Sequence, residues 1–126
     1  MKKGIAFFCI FFFILAFSGF KMVVPLQTSA EKGKLLYKQN CMSCHNAGRG
    51  KLTAVGLRDA WDEIPKPKEK WFIGYVQNPA EMHKTKDALI LKIEERLEKE
   101  GKQMMSPVTL TKEEIKLIIA YVKTFQ

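Results

Sequence analysis

Five consecutive residues, Cys41-Met42-Ser43-Cys44-His45, constrain this chain more than any other feature. The pattern is C-x-x-C-H, in which two thiols bond the two neighbouring vinyl groups of one haem and the next histidine brings its imidazole under the iron. Three other chemistries use paired cysteines, and each fits less well. A disulfide between Cys41 and Cys44 closes so short a loop that it removes little chain entropy. A thioredoxin-like pair needs a preceding strand and a βαβ pattern, whereas the residues ahead of Cys41 read as helix. A zinc site built from Cys41, Cys44, His45 and His83 has to bring the adjacent Cys44 and His45 to one tetrahedral centre, and no second C-x-x-C or H-x-x-x-H follows.

The chain has 126 residues, and its apolar content is unevenly spread. Lys2 and Lys3 precede an uncharged run over residues 4–20 that holds seven of the nine phenylalanines, and Thr28-Ser29-Ala30 then precedes Glu31. This is the layout of an export signal, with the small residues as a possible cleavage site. The apolar run falls just short of the ~20 residues that span a bilayer, so residues 1–30 read either as a signal peptide or as an N-terminal membrane anchor. In both cases the positive-inside rule places the remainder in the periplasm or at the outer face of the cytoplasmic membrane. Cys9, inside the apolar run, reads as one more buried apolar residue. Residues 31–126 then form one small domain, which excludes a two-domain enzyme or an α/β barrel and makes stabilisation by a cofactor or metal expected.

Formal charge is +8 for the whole chain and +5 for residues 31–126, which hold 18 basic and 13 acidic side chains. Acids interleave with the lysines and no aromatic-basic stripe appears, so nucleic acid is not the expected partner. The balance suits an acidic protein face.

Hydrophobic periodicity gives helices joined by loops and no convincing strand. Thr28-x-x-Glu31 is a capping-box pattern ahead of a helix over Glu31 to Asn40, with Leu35, Leu36 and Tyr37 as its apolar side. From Asn46 to Pro67, glycines and prolines indicate a loop carrying Leu52, Val55, Leu57 and Trp61. Lys68 to Gln77 shows a stripe of Trp71, Phe72, Tyr75 and Val76 that Asn78-Pro79 ends. Asp87 to Lys99 carries Leu89, Ile90, Ile93 and Leu97 until Gly101 stops it. A second capping box at Thr111-Lys112-Glu113-Glu114 opens a last helix running to the C-terminus, with Ile115, Ile118, Ile119, Val122 and Phe125 on one face.

In this order the motifs resemble a class I c-type cytochrome over nearly all of residues 31–126. Gly33 and Tyr37 stand four apart ahead of Cys41, as in the family's first helix. Tyr121, supported by Ile118, stands where the family packs a last-helix aromatic beside that glycine. Trp71 to Pro79 matches its Trp-led middle helix ending in Asn-Pro. The resemblance implies an all-α cytochrome c fold of four to five short helices wrapped round one covalent haem c. Cys41 and Cys44 would attach the porphyrin, with His45 as one axial ligand of the iron and a methionine from the loop before the last helix as the other. Met104 and Met105 both lie there. Family members often read Met-Pro-x-apolar, and Val108 stands three places after Met105, which makes Met105 the expected ligand and Met104 a residue packed at the haem edge. The family's usual Gly-Pro, whose proline carbonyl accepts from the axial imidazole, is replaced by Ala54-Val55. The Val55 carbonyl can still accept that bond. Leu57 and Trp61 read as haem-packing or propionate-contacting residues, or as ordinary core.

The implied function is electron transfer rather than enzymatic catalysis, with oxidase, reductase or dehydrogenase partners presenting an acidic docking face. Lysines in 66–70 and 84–86 either steer such a partner or are simply the wet faces of short helices. An alternative is a five-coordinate or bis-histidine haem c protein with a gas-binding, peroxidatic or sensory role. His83 would be the second histidine in the bis-histidine case, although Glu81, Lys84 and Lys86 around it favour a solvated turn.

Overall fold

The computed structural model describes residues 27–126, and the export-signal or anchor reading of residues 1–30 lies almost wholly outside the described residues. Among these, six helices occur and no strand, apart from one isolated bridge between Lys51 and Val55. The helices are α1 (Ser29–Asn40), α2 (Leu57–Glu63), α3 (Lys68–Gln77), α4 (Pro79–Lys84), α5 (Ala88–Glu100) and α6 (Lys112–Val122). None of them is long and apolar enough to cross a membrane.

Both capping boxes form. Thr28 Oγ1 accepts from the Glu31 amide at 3.2 Å while the Glu31 carboxylate accepts from the Thr28 amide at 2.7 Å, and Thr111 and Glu114 repeat the exchange at 3.2 and 2.8 Å. The first cap starts α1 two residues earlier than the apolar pattern suggests. Asn78 ends α3, and its side chain caps α4 by accepting from the Glu81 amide, with Pro79 at the first helical position. Asp87 caps α5 through the Ile90 amide. At the far end of α5, Gly101 takes the left-handed conformation (φ 59°), its amide bonding Glu98 and the Lys102 amide bonding Leu97.

Two helices exceed the sequence reading. Leu57–Glu63 lies inside the stretch expected to be loop, because Gly48, Gly50 and Gly56 obscure a single turn-and-a-half of apolar spacing. Pro79–Lys84 replaces the expected solvated turn, its start set by Asn78-Pro79 rather than by an apolar stripe. The last helix ends at Val122 rather than at the C-terminus.

The principal helix pair is α1 against α6. Ile115, Ile118, Ile119 and Val122 are buried, each such side chain contributing on the order of 1.5–3 kcal/mol. The approach is closest at Gly33, where a Cβ would stand 1.9 Å from the Leu117 carbonyl oxygen and 3.1 Å from the Ile118 amide nitrogen. The atoms nearest to the glycine are thus backbone atoms of α6. Tyr121 packs one turn further on, against Tyr37, with ring centroids 5.5 Å apart. On α1 the buried residues are Gly33 and Tyr37, and Leu35 is exposed, because Gly33 rather than the leucine pair sets the contact face. On α3, Phe72 and Ile73 are the buried residues, and Trp71, Tyr75 and Val76 are only half-buried. The core continues through Ala47, Leu57, Trp61 and Ile64.

Candidate haem site

The C-x-x-C-H segment continues directly from α1. The Cys41 and Met42 amides both bond the Tyr37 carbonyl, and the Cys44 and His45 amides bond the Cys41 carbonyl, so the chain coils through one more tight turn. Tyr37 then fixes the turn from the core side, its hydroxyl donating to the His45 carbonyl at 2.7 Å. The motif is thereby tied to the same residue that packs α1 on α6.

The loop that follows returns to the histidine. The Ala54 amide bonds the Cys44 carbonyl at 2.8 Å, and the Leu57 amide bonds the Asn46 carbonyl at 2.7 Å. His45 Nδ1 lies 2.8 Å from the Val55 carbonyl oxygen, so Nδ1 carries the proton and Nε2 is the nitrogen left to ligate. The expected acceptor is in place without the family's proline. Gly56 makes that return possible, since a Cβ there would lie 2.4 Å from the Gly48 carbonyl oxygen and 2.5 Å from that of Gly50. Asn46 braces the same turn, accepting from the Gly48 amide and donating to the Arg49 carbonyl. Neither residue stands out in the sequence, although Asn46-x-Gly48 carries the signal of an Asx turn.

Both thiols are free, Cys41 half-buried and Cys44 exposed. Burial pushes the Cys41 thiol up to about 11, opposite to the shift of a redox-active thiolate. Among the described residues no three His, Cys, Asp or Glu side chains converge as ligands of a metal ion would. His83 is drawn elsewhere. Its Nδ1 lies 3.0 Å from Glu94 and its Nε2 3.3 Å from the Tyr75 hydroxyl, and Lys86 and then His83 hold the Glu94 carboxyl below its usual range. The solvated environment expected of His83 is thus replaced by a shielded network between α3, α4 and α5. Both ring nitrogens are committed there.

Met105 is half-buried and Met104 exposed, on the segment between α5 and α6. Downstream, that segment is fastened to α3: the Val108 amide bonds the Val76 carbonyl at 3.0 Å and Gln77 Nε2 donates to the Leu110 carbonyl at 2.8 Å. Leu57 and Trp61 both belong to the buried core, Trp61 meeting Phe72 edge-on at 5.9 Å.

A histidine whose Nδ1 is bonded to a carbonyl, next to two thiols on one tight turn, is the arrangement that a covalently attached porphyrin needs. The profile of the cytochrome c family matches residues 30–126. The chain belongs to the cytochrome c family. Cytochrome c from Rhodothermus marinus has a similar structure, with a TM-score of 0.59 at 21% identity, covering 76% of this chain and 75% of that one. At that identity the likeness shows the fold alone, an all-α cytochrome c fold. No curated protein sequence matches the chain. As a class I c-type cytochrome it carries covalent haem c with its iron and transfers electrons to redox partner proteins.

Proposed function

We propose that this cytochrome c is an exported one-electron carrier, its haem c attached through Cys41 and Cys44 and its iron held between His45 and Met105. The observation that carries the reading is the 2.8 Å contact between His45 Nδ1 and the Val55 carbonyl. It fixes the tautomer, orients the ring and makes Nε2 a better donor. When bound, haem c supplies one-electron Fe(II)/Fe(III) chemistry, with a potential that methionine ligation raises.

The chain's own residues do the rest by holding and excluding. Tyr37 and the α1–α6 crossing keep the attachment turn rigid, so little has to reorganise when charge changes. Two strong ligands leave no open position for small molecules, which separates the carrier from a gas-binding or peroxidatic protein. Nothing favours the bis-histidine alternative, since both nitrogens of His83 are engaged. Cys44 is the exposed thiol, so attachment there brings the cofactor to the surface, where a partner can approach through a small transient contact.

Charge steering narrows to fewer lysines than the sequence suggests. Lys84 pairs with Glu81 and Lys86 with Glu94, while Lys68 donates to the Trp61 and Asp62 carbonyls. Lys66 and Lys70 are exposed and have no carboxylate partner among the described residues, which leaves them to attract an acidic partner such as an oxidase, reductase or dehydrogenase.

The test is the absorption spectrum of the exported protein, oxidised and reduced. A haem c α band with the weak far-red band of sulfur-to-ferric-iron charge transfer is expected. Met105→Ala should abolish that far-red band and Met104→Ala should keep it. The reverse pattern would transfer the ligand role to Met104, and absence of haem would refute the reading entirely.

A further inference from the structure

The loop that ends at Val55 and the segment that carries Met104 and Met105 meet at one carboxylate. Glu100, the last residue of α5, accepts Lys51 Nζ on Oε1 at 2.6 Å and Lys102 Nζ on Oε2 at 3.0 Å. The Lys102 ammonium also donates to the Thr53 carbonyl. Lys51 and Thr53 belong to the short loop bridged at Lys51–Val55, whose Val55 carbonyl holds His45. Lys102 directly follows the left-handed Gly101, so its backbone is fixed, and it stands two residues ahead of Met104. One acidic side chain thus joins the loop that orients the imidazole to the segment that presents the sulfurs.

The Lys102–Thr53 bond is the other contact across that gap, and the Glu100 carboxylate holds the ammonium that makes it. The two segments share no backbone hydrogen bond among the described residues, and α5 has no extended interface with another helix. Further along α5, Lys92 and Arg96 reach Glu63, and Glu94 reaches His83 and Lys86. Those pairs hold the body of α5 against the end of α2 and against α4, not against the 51–55 loop. The methionine segment is fastened to α3 only from Val108 onward. Residues 101–107 are therefore anchored downstream by the Val76 carbonyl and the Gln77 side chain, and upstream, towards His45, by Glu100 together with the Lys102–Thr53 bond that it supports.

We propose that Glu100 is a positioning residue for the axial methionine, holding the methionine segment in register with the His45 loop so that the sulfur seldom leaves the iron. The inference rests on the reading that a methionine of this segment ligates the haem iron. Each exposed ion pair is weak and screened by salt, but here both carboxylate oxygens are used at once and each connects a different piece of chain. The consequence lies in how often the segment opens rather than in global stability.

The test follows replacement of the methionine by imidazole in the oxidised holoprotein, by stopped-flow absorption at low and high salt. Glu100→Gln is expected to speed the replacement about two- to fivefold at low salt with an unchanged melting temperature, and high salt should bring the wild-type rate up towards that of the variant. Glu100→Asp should recover part of the slow rate. Glu95→Gln, which breaks the exposed Lys99–Glu95 pair on the same helix, removes the same charge without touching the strap and should leave the rate unchanged. A Glu100→Gln rate equal to wild type, or the same acceleration from Glu95→Gln, overturns the proposal while leaving methionine ligation intact. A wild-type protein without the far-red sulfur band overturns the ligation reading and the proposal with it.

Discussion

Replacing Gly33 by alanine tests the closest approach that any glycine makes to another element among the described residues. The added Cβ would sit 1.9 Å from the Leu117 carbonyl oxygen and 2.5 Å from its carbonyl carbon, both backbone atoms of α6. Ordinary contact begins at about 3.4 Å, so the α1–α6 crossing has to open by roughly 1.5 Å. No rotamer change can relieve this, because the backbone fixes the Cβ position and the atoms it meets are themselves backbone. Overpacking of a tight site costs about 1–3 kcal/mol, more where backbone must move, and alanine returns about 1 kcal/mol of helix propensity. Taking the upper end of that cost, because backbone has to move, the net loss is about 2 kcal/mol, which for a domain of this size lowers the melting temperature by roughly 8–16 °C. Gly74→Ala is the internal control. Its Cβ would meet the Met82 sulfur at 3.2 Å, the movable part of a flexible side chain, so the melting temperature should hold or rise slightly. Thermal melts of the holoproteins by far-ultraviolet dichroism separate the cases. A Gly33→Ala melt within about 2 °C of wild type would show that the crossing is looser than its geometry implies and refute the argument.

The domain is small enough that the cofactor should supply much of its packing, so Cys41→Ala with Cys44→Ala is expected to leave residues 31–126 largely unfolded, and cooperative native-like melting of that haem-free protein would contradict it. Asp59 gives a pH dependence. The Gly50 amide and then the Arg49 guanidinium hold its carboxyl below the usual range, so its contribution is present above the ordinary carboxylate pKa and fades as pH falls through the lower folded value. The stability gap between wild type and Asp59→Asn in denaturant titrations should therefore be widest near neutral pH and narrow in acid; a gap unchanged down to about pH 3 would argue against it.

Much of this arrangement is legible in the residues, and the parts that are not share a cause. The caps at Thr28 and Thr111 and the stops at Asn78 and Gly101 are local: a side chain or a backbone conformation acts within one turn, and composition reports it. The apolar face of α6 is equally plain, because four of its five expected residues are buried and Phe125 remains half-buried. What the pattern hides is set by distant chain. Leu35 looks like a core residue until Gly33 is seen against Leu117, a contact between residues 84 positions apart in sequence that turns the leucine outward. The α2 helix disappears among glycines whose role is to let Gly56 pass under the Gly48 and Gly50 carbonyls. His83, flanked by charges, reads as solvated until α3 and α5 supply Tyr75 and Glu94.

The candidate site divides along the same line. Cys41, Cys44 and His45 are contiguous, so their chemistry survives in the bare sequence, and the carbonyl ten residues on could be named from the family's Gly-Pro position, which Ala54-Val55 occupies here. The methionine side has no such contiguity. Its place depends on three attachments from separate elements: Val76 and Gln77 at the end of α3, the Thr111 cap, and the Glu100 carboxylate. A family pattern can point to Met105 over Met104, but the mechanical distinction between two adjacent thioethers lies in how the segment is held at its two ends. The downstream hold on α3 uses hydrogen bonds between uncharged groups and is insensitive to salt, whereas the upstream hold uses ammonium groups and is not. Ionic strength is therefore expected to act on the join between the 51–55 loop and the methionine segment more than on the hydrogen bonds that Tyr37 and Val55 make to His45.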